Sequence, residues 1–376
     1  VLQLEHLASE ADLPVSPEAG TETLETKTDA FPLDSPGLRE AIDQIRARQT
    51  QLVTLAQKLG LVPSRFENLP CAQYEDLLRS IYPRPRSEQF IRAFHEHGRP
   101  GIAKYFLCGK ASQVSITPRS PEDLAELVPL YYALTPFFAA LTENGWGRDS
   151  GLKLRQALKE RGGVPAYVYK SRNAGDLIQG HIEQVWTTPL LTYYDQTGEL
   201  SVAPKGQAPR FDDLVNRGLN TAANFWHAES MVWPHVKFAA IRDREGQVTD
   251  HRIEIRAFGM GREQCSNALL ICGLLAHSRD FRREVSALVR SYSLHPWQDS
   301  GRETLEATIK SVASKPELGL QVPCGTGNLA HFAKQFGQML HKYAQQHNLS
   351  DLAQNARTIC QTGENDGYLN RLAYGT

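Results

Sequence analysis

Apolar and polar positions along this chain follow two periods, and the segments carrying each are separate. Asp250 to Gly259, D-H-R-I-E-I-R-A-F-G, has period two. As a strand it sets Glu254 and Arg256 on one face and Ile253, Ile255 and Ala257 on the other. Val232 to Ile241 reads as its partner strand, with Asp243-Arg244-Glu245-Gly246 as the turn of a hairpin. Lys110 to Ile116 alternates in the same way, with Val114 and Ile116 facing one side and Gln113 and Ser115 the other. Thr21 to Thr28 alternates too, rich in β-branched residues, and projects Glu25; on spacing alone an ordinary solvated strand glutamate fits equally. Thr192 to Leu200 predicts a short hairpin through Asp195-Gln-Thr-Gly198.

The helical period marks other stretches. Ser35-Pro36 predicts a helix start with Ser35 as N-cap; Leu38, Ile42, Ile45, Leu52, Leu55 and Leu59 form its apolar side, and Gly60 stops it. Ser120-Pro121-Glu122-Asp123 starts a strongly apolar helix through Leu134, which Thr135-Pro136 kinks or ends. Asn267 to Leu275 predicts a buried helix covering the hairpin, and Asn328 to Gln346 a helix with Leu329, Phe332, Phe336, Leu340 and Tyr343 in register. Residues 141–151 read as a Gly-rich loop too polar for a core, and 296–327 as a long excursion. Periodicity gives an α+β chain with one large core, mainly helical from about 277; length alone allows two domains, and a single domain over 1–376 is the expectation.

Composition narrows the partners. Charge is balanced, 41 Lys and Arg against 42 Asp and Glu, with no dense basic run, which argues for a small-molecule or protein partner and no nucleic acid. No apolar run approaches the length of a membrane span and the first residues show no signal-peptide pattern, so no membrane and a cytoplasmic location are expected. Six cysteines without C-x-x-C spacing point to a reducing compartment. His95 and His97 are two apart on a helical stretch and face different sides, which argues for solvated histidines and against a metal pair there.

The chemistry-bearing pair is Glu254 and Arg256. A carboxylate and a guanidinium aimed at one spot can hold a metal ion and the phosphate it neutralises. Taken alone, a surface ion pair accounts for them better.

In its wider context I-E-I-R, preceded by M-V-W-P-H-V-K, resembles the strand hairpin of glutamate-cysteine ligases of the plant and proteobacterial type, where a Pro-x-Val-Arg strand leads into Glu-x-Arg. Three further stretches resemble that family in order. E-A-G-T-E-T-L-E is similar to its Glu-Pro-Gly-Gly-Gln-x-Glu strand, and C-G-K-A-S-Q-V-S-I to its Thr-Val-Gln-Val-Asn strand. A-L-T-P-F-F-A-A-L-T-E-N-G-W-G-R-D-S-G-L-K-L-R is similar to the loop ending Gly-x-Asp-Thr-Gly-x-x-x-x-Arg. Together they span roughly residues 1 to 276.

The resemblance implies an ATP-dependent ligase that joins the γ-carboxyl of glutamate to the amine of cysteine through an acyl phosphate. It implies ATP and Mg²⁺, with Glu5, Glu25, Gln113 and Glu254 at the metal, Arg256 and Gln113 toward the nucleotide, Glu254 and Arg256 in catalysis, and Arg155 and Lys237 on the amino-acid substrate. The implied fold is that of the glutamine synthetase and guanidino kinase superfamily: a curved, mostly antiparallel sheet with helices on its convex face. Three departures stand against it. Glu5 has no second acid beside it where the family's first strand carries Glu-x-Glu, Lys237 replaces an arginine, and Gly259 falls near where an aspartate is common. These suit a relative using another amine or acid, or a silent nucleotide-binding relative.

Overall fold

A computed structural model of the chain describes residues 2–17, 23–64, 74–108, 111–145, 163–243, 245, 247–297 and 299–374. The described strands are β1 (Val15–Pro17), β2 (Leu24–Thr26), β3 (Ser112–Ile116), β4 (Thr192–Tyr194), β5 (Leu200–Val202), β6 (Val236–Arg242), β7 (Val248–Phe258), β8 (Pro323–Cys324) and β9 (Gly327–Asn328). They form antiparallel ladders β1–β2, β3–β7–β6, β4–β5 and β8–β9, among which the helices make up most of the molecule. The fold is α+β with small antiparallel sheets.

Alternation in β7 produces the two-faced strand that the sequence predicts. Ile253, Ile255 and Ala257 are buried with Val114 and Ile116 of β3 and Val236 and Phe238 of β6. The predicted covering helix is Arg262–His277, which packs on β3 and β7 and runs against helix Ser35–Lys58. Gly273 permits that approach, since a Cβ there would fall 2.1 Å from Leu38 Cδ2.

Helix Pro121–Leu141 packs on β6 and β7 and is buried along nearly its whole length. It corrects two expectations. Of the kink or end expected at Thr135-Pro136, the end does not occur: the helix runs on to Leu141 with both Pro129 and Pro136 inside it. A proline in a helix interior costs about 3 kcal/mol. Tyr131, Tyr132, Phe137 and Phe138 are fully buried, each contributing about 1.5–3 kcal/mol, which offsets both prolines. The helix is also long and apolar enough to cross a membrane, contrary to the sequence reading, but its side chains are buried inside the protein.

Other differences are local. The N-cap of helix Ser35–Lys58 is Asp34, whose carboxylate accepts from the Gly37 amide at 2.8 Å, leaving Ser35 in the first turn. The partner strand begins at Val236, not Val232. The excursion over 296–327 contains helix Asp299–Ser314, a 3₁₀ segment Pro316–Gln321 and the β8–β9 ladder. Residues 142–145, read as too polar for a core, are buried.

Two smaller clusters flank the main core. One, built on Phe90, Phe94, Leu190, Phe211 and Met231, joins helices Pro85–Glu96 and Ala222–Ser230 to the predicted β4–β5 hairpin. The other, with Leu4, Ala8, Leu13, Leu55 and Ala56, holds helix Leu2–Glu10 and β1 against the end of helix Ser35–Lys58.

Candidate functional site

Cross-strand register fixes which side chains share the polar face of the β3–β7–β6 sheet. Glu254 stands opposite Ser115 of β3 and Lys237 of β6, so the three form one row on that face. Arg252 and Arg256, two residues to either side on β7, share the face with Glu254. Gln113 and Ser115 are the exposed positions of β3, between buried Ser112, Val114 and Ile116.

Glu254 is 7% exposed and both its oxygens are taken. Oε1 accepts from Arg252 Nη2 at 2.6 Å and Nε at 2.9 Å, and Oε2 accepts from Arg256 Nη2 at 2.6 Å. Burial works to raise the Glu254 pKa, but Arg256, Arg252 and Lys237 together outweigh it and hold the carboxyl below its ordinary value. Arg256 is further fixed by its backbone amide, which donates to the His235 carbonyl at 2.9 Å.

Lys237 is equally buried at 7%, and its ammonium donates to the Glu229 carbonyl at 3.0 Å. Burial lowers its pKa, with Arg256 and Arg252 acting the same way against the acids of Glu229 and Glu254. The Tyr132 hydroxyl donates to the Val236 carbonyl at the start of β6, tying the strand that carries Lys237 to the core helix. Behind the strand, on the side of Phe238, His181 packs its ring 4.5 Å from that of Phe238, with Nε2 3.7 Å from the Glu229 carboxylate.

The sequence-named residues are only partly brought together. Glu254, Arg256, Lys237 and Gln113 belong to one sheet. Glu25 is exposed on β2, whose ladder pairs with no strand of that sheet among the described residues. Glu5, expected on a strand, lies on helix Leu2–Glu10 and accepts from the Tyr82 hydroxyl at 3.1 Å. Arg155 lies outside the described residues. Sequence reasoning passed over Arg252, although the same alternation that selected Glu254 and Arg256 places it on their face. It also passed over Glu229, whose part is played by a backbone carbonyl that no side-chain pattern announces.

A four-donor magnesium set does not fit what is present. Among the described residues no three His, Cys, Asp or Glu side chains converge on one point, and the carboxylate at the centre of the sheet is engaged by two guanidiniums. What the face does offer is two guanidiniums and an ammonium on a rigid strand pair, an arrangement suited to carboxylate or phosphate oxygens. No family model matches this chain, and no curated protein matches it significantly.

Proposed function

We propose that the chain is an ATP-dependent carboxylate-amine ligase, a single catalytic unit that joins the γ-carboxyl of glutamate to the amine of cysteine. The observation that carries this is Glu254 buried between Arg252 and Arg256, with Lys237 opposite, on the polar side of a strand whose other side is core. We infer a fold of the glutamine synthetase and guanidino kinase type, in which this face is the concave, substrate-bearing one, and small-molecule partners in a reducing, cytoplasmic setting.

A carboxylate is a poor electrophile. Transfer of the γ-phosphoryl group of ATP to the glutamate γ-carboxylate gives an acyl phosphate and ADP, and attack by the amine then forms the amide and expels phosphate. Negative charge accumulates on oxygen in both steps. Arg256 donates to the phosphoryl oxygens, and Glu254 keeps its guanidinium aimed along the face, a preorganisation worth several kcal/mol in comparable transfers. Lys237 sits in the same row as a second cation for the amino-acid carboxylate, and Arg155 is proposed for the same substrate. Mg²⁺ would accompany the nucleotide on its phosphate oxygens; Glu254 is committed to Arg252 and Arg256 and is given no metal role, and no step is assigned to the metal.

The oxygen balance of the acyl phosphate supplies the test. Glutamate labelled with ¹⁸O in its γ-carboxyl is expected to pass one labelled oxygen to inorganic phosphate on each turnover with cysteine. Amide formation with unlabelled phosphate would exclude the acyl phosphate.

The position of Glu5 on a helix favours a second reading, a silent relative that binds the nucleotide without turning it over. Lys237, in place of the family's arginine, favours another amine. Mg-ATP titration together with ADP release across an amine panel separates these.

A further inference from the structure

We propose that helix Asp366–Tyr374 is a positioning element for the β7 site, acting through the buried stretch Thr142 to Gly145; this role rests on the ligase reading above. β7 leaves its ladder just past Arg256, whose amide still donates to the His235 carbonyl at 2.9 Å. Its pairing with β6 ends at Ile255, and its pairing with β3 is irregular between Ser112 and Val114, leaving Phe258 as the next paired residue. Beyond Phe258 the strand end is held by side chains. The Gly259 amide donates to Thr142 Oγ1 at 2.8 Å, and Asn144 Nδ2 donates to the Met260 carbonyl at 2.8 Å.

The stretch that supplies those bonds is in turn held by the last described helix. Asn370 Nδ2 donates to Asn144 Oδ1 at 2.8 Å and the Gly367 amide to the Glu143 carbonyl at 3.0 Å, while Asn365, just before the helix, donates from Nδ2 to the Ala140 carbonyl of helix Pro121–Leu141 at 2.8 Å. Gly367 sits so close that a Cβ would meet Glu143 Oε2 at 2.1 Å and its carbonyl oxygen at 2.7 Å. Asp366 Oδ2 accepts from Gln264 Nε2 at 3.0 Å, linking the helix to the one that follows β7. Thr142, Glu143, Asn144, Gln264 and Asn365 are all buried. Buried amides paired in this way accept one arrangement only, so the cluster fixes direction as well as distance. Arg256 lies three residues before Gly259, at the end of this chain of bonds.

The test uses the full chain with Asn370→Ala, which removes one donor from a half-buried position, and Gly367→Ala, which presses the helix off Glu143. Hydrogen exchange is followed at Gly259 and Gly145, with the β4–β5 hairpin as an internal reference, beside glutamate-dependent ADP release at matched folded fraction. Both variants are expected to exchange faster at Gly259 and Gly145 and unchanged in the hairpin. Turnover number is expected to fall about ten- to a hundredfold, the cost of displacing a positioned group by a fraction of its bond length or more. Unchanged exchange, or faster exchange with unchanged turnover, overturns the positioning role. Absence of turnover in the wild type overturns the ligase reading itself and removes the role with it.

Discussion

Lys237 and Glu254 are directly opposed on β6 and β7 and equally buried, yet the lysine ammonium is bonded to a backbone carbonyl while the carboxylate is gripped by two arginines. The row therefore keeps its acid as the counter-charge of the guanidiniums. Replacing Glu254 by Gln leaves three cations clustered without it, and is expected to cost about 3 kcal/mol in urea unfolding at pH 7, the scale for breaking a buried ion pair. The sign with pH follows from the depressed pKa. Glu254 contributes stability above its ordinary 4.5 and loses it as pH falls through the lower folded value, an acid-sensitive component that Glu254→Gln lacks.

Lys237→Met separates stability from binding. A buried ammonium beside two guanidiniums is a desolvated charge, and exchanging it for an apolar side chain of similar length is expected to leave stability within about 1 kcal/mol of wild type or raise it. Binding of Mg-ATP or glutamate, measured by titration calorimetry, is expected to weaken. Because burial lowers the Lys237 pKa, wild-type stability gains as pH rises toward 10.5, and the variant does not share that gain.

How much of this was legible in the sequence depended on where the determining contacts lay. β7 was readable because one face in the core enforces alternation, and the same pattern exposed β3, while the β4–β5 hairpin was readable from its turn residues Asp195-Gln-Thr-Gly198. Pro136 left a kink or an end open in the sequence, and it was packing around Tyr131, Tyr132, Phe137 and Phe138 that carried the helix on to Leu141. Glu5 misled because nine residues with two apolar contacts fit a helix or a strand until Leu4 and Ala8 meet Leu55 and Ala56. The polar cluster at Asn144 was invisible because its partners are more than a hundred residues away, at Met260 and Asn370.

His227 supplies a pH dependence away from the site. Burial, assisted by Arg86, pushes its pKa down from 6.5 to about 4, while Nε2 keeps a 2.8 Å bond with Thr192 Oγ1. The folded state thus disfavours the protonated ring. Stability is fully present above 6.5 and falls as pH drops toward 4, by about 3 kcal/mol over that window. His227→Gln is expected to flatten this part of the unfolding profile.

Asp123 and Arg282 form a buried pair at 2.9 Å, with Glu126 3.4 Å from the same guanidinium nitrogen. Arg282→Met strands the Asp123 carboxylate and is expected to cost about 3–5 kcal/mol. Asp123→Leu combined with Arg282→Met is expected to recover most of that loss, a non-additivity that a double-mutant cycle by urea unfolding measures directly.

The measurement closest to the central claim is ADP release from Mg-ATP in the presence of glutamate, with and without cysteine. The ligase account predicts ADP only when both amino acids are present, and its loss by about 10²–10³ in Glu254→Gln, the scale for removing a group that aims a charge-stabilising donor. Silence with cysteine in a sample that still binds Mg-ATP, or turnover unchanged by Glu254→Gln, would contradict it.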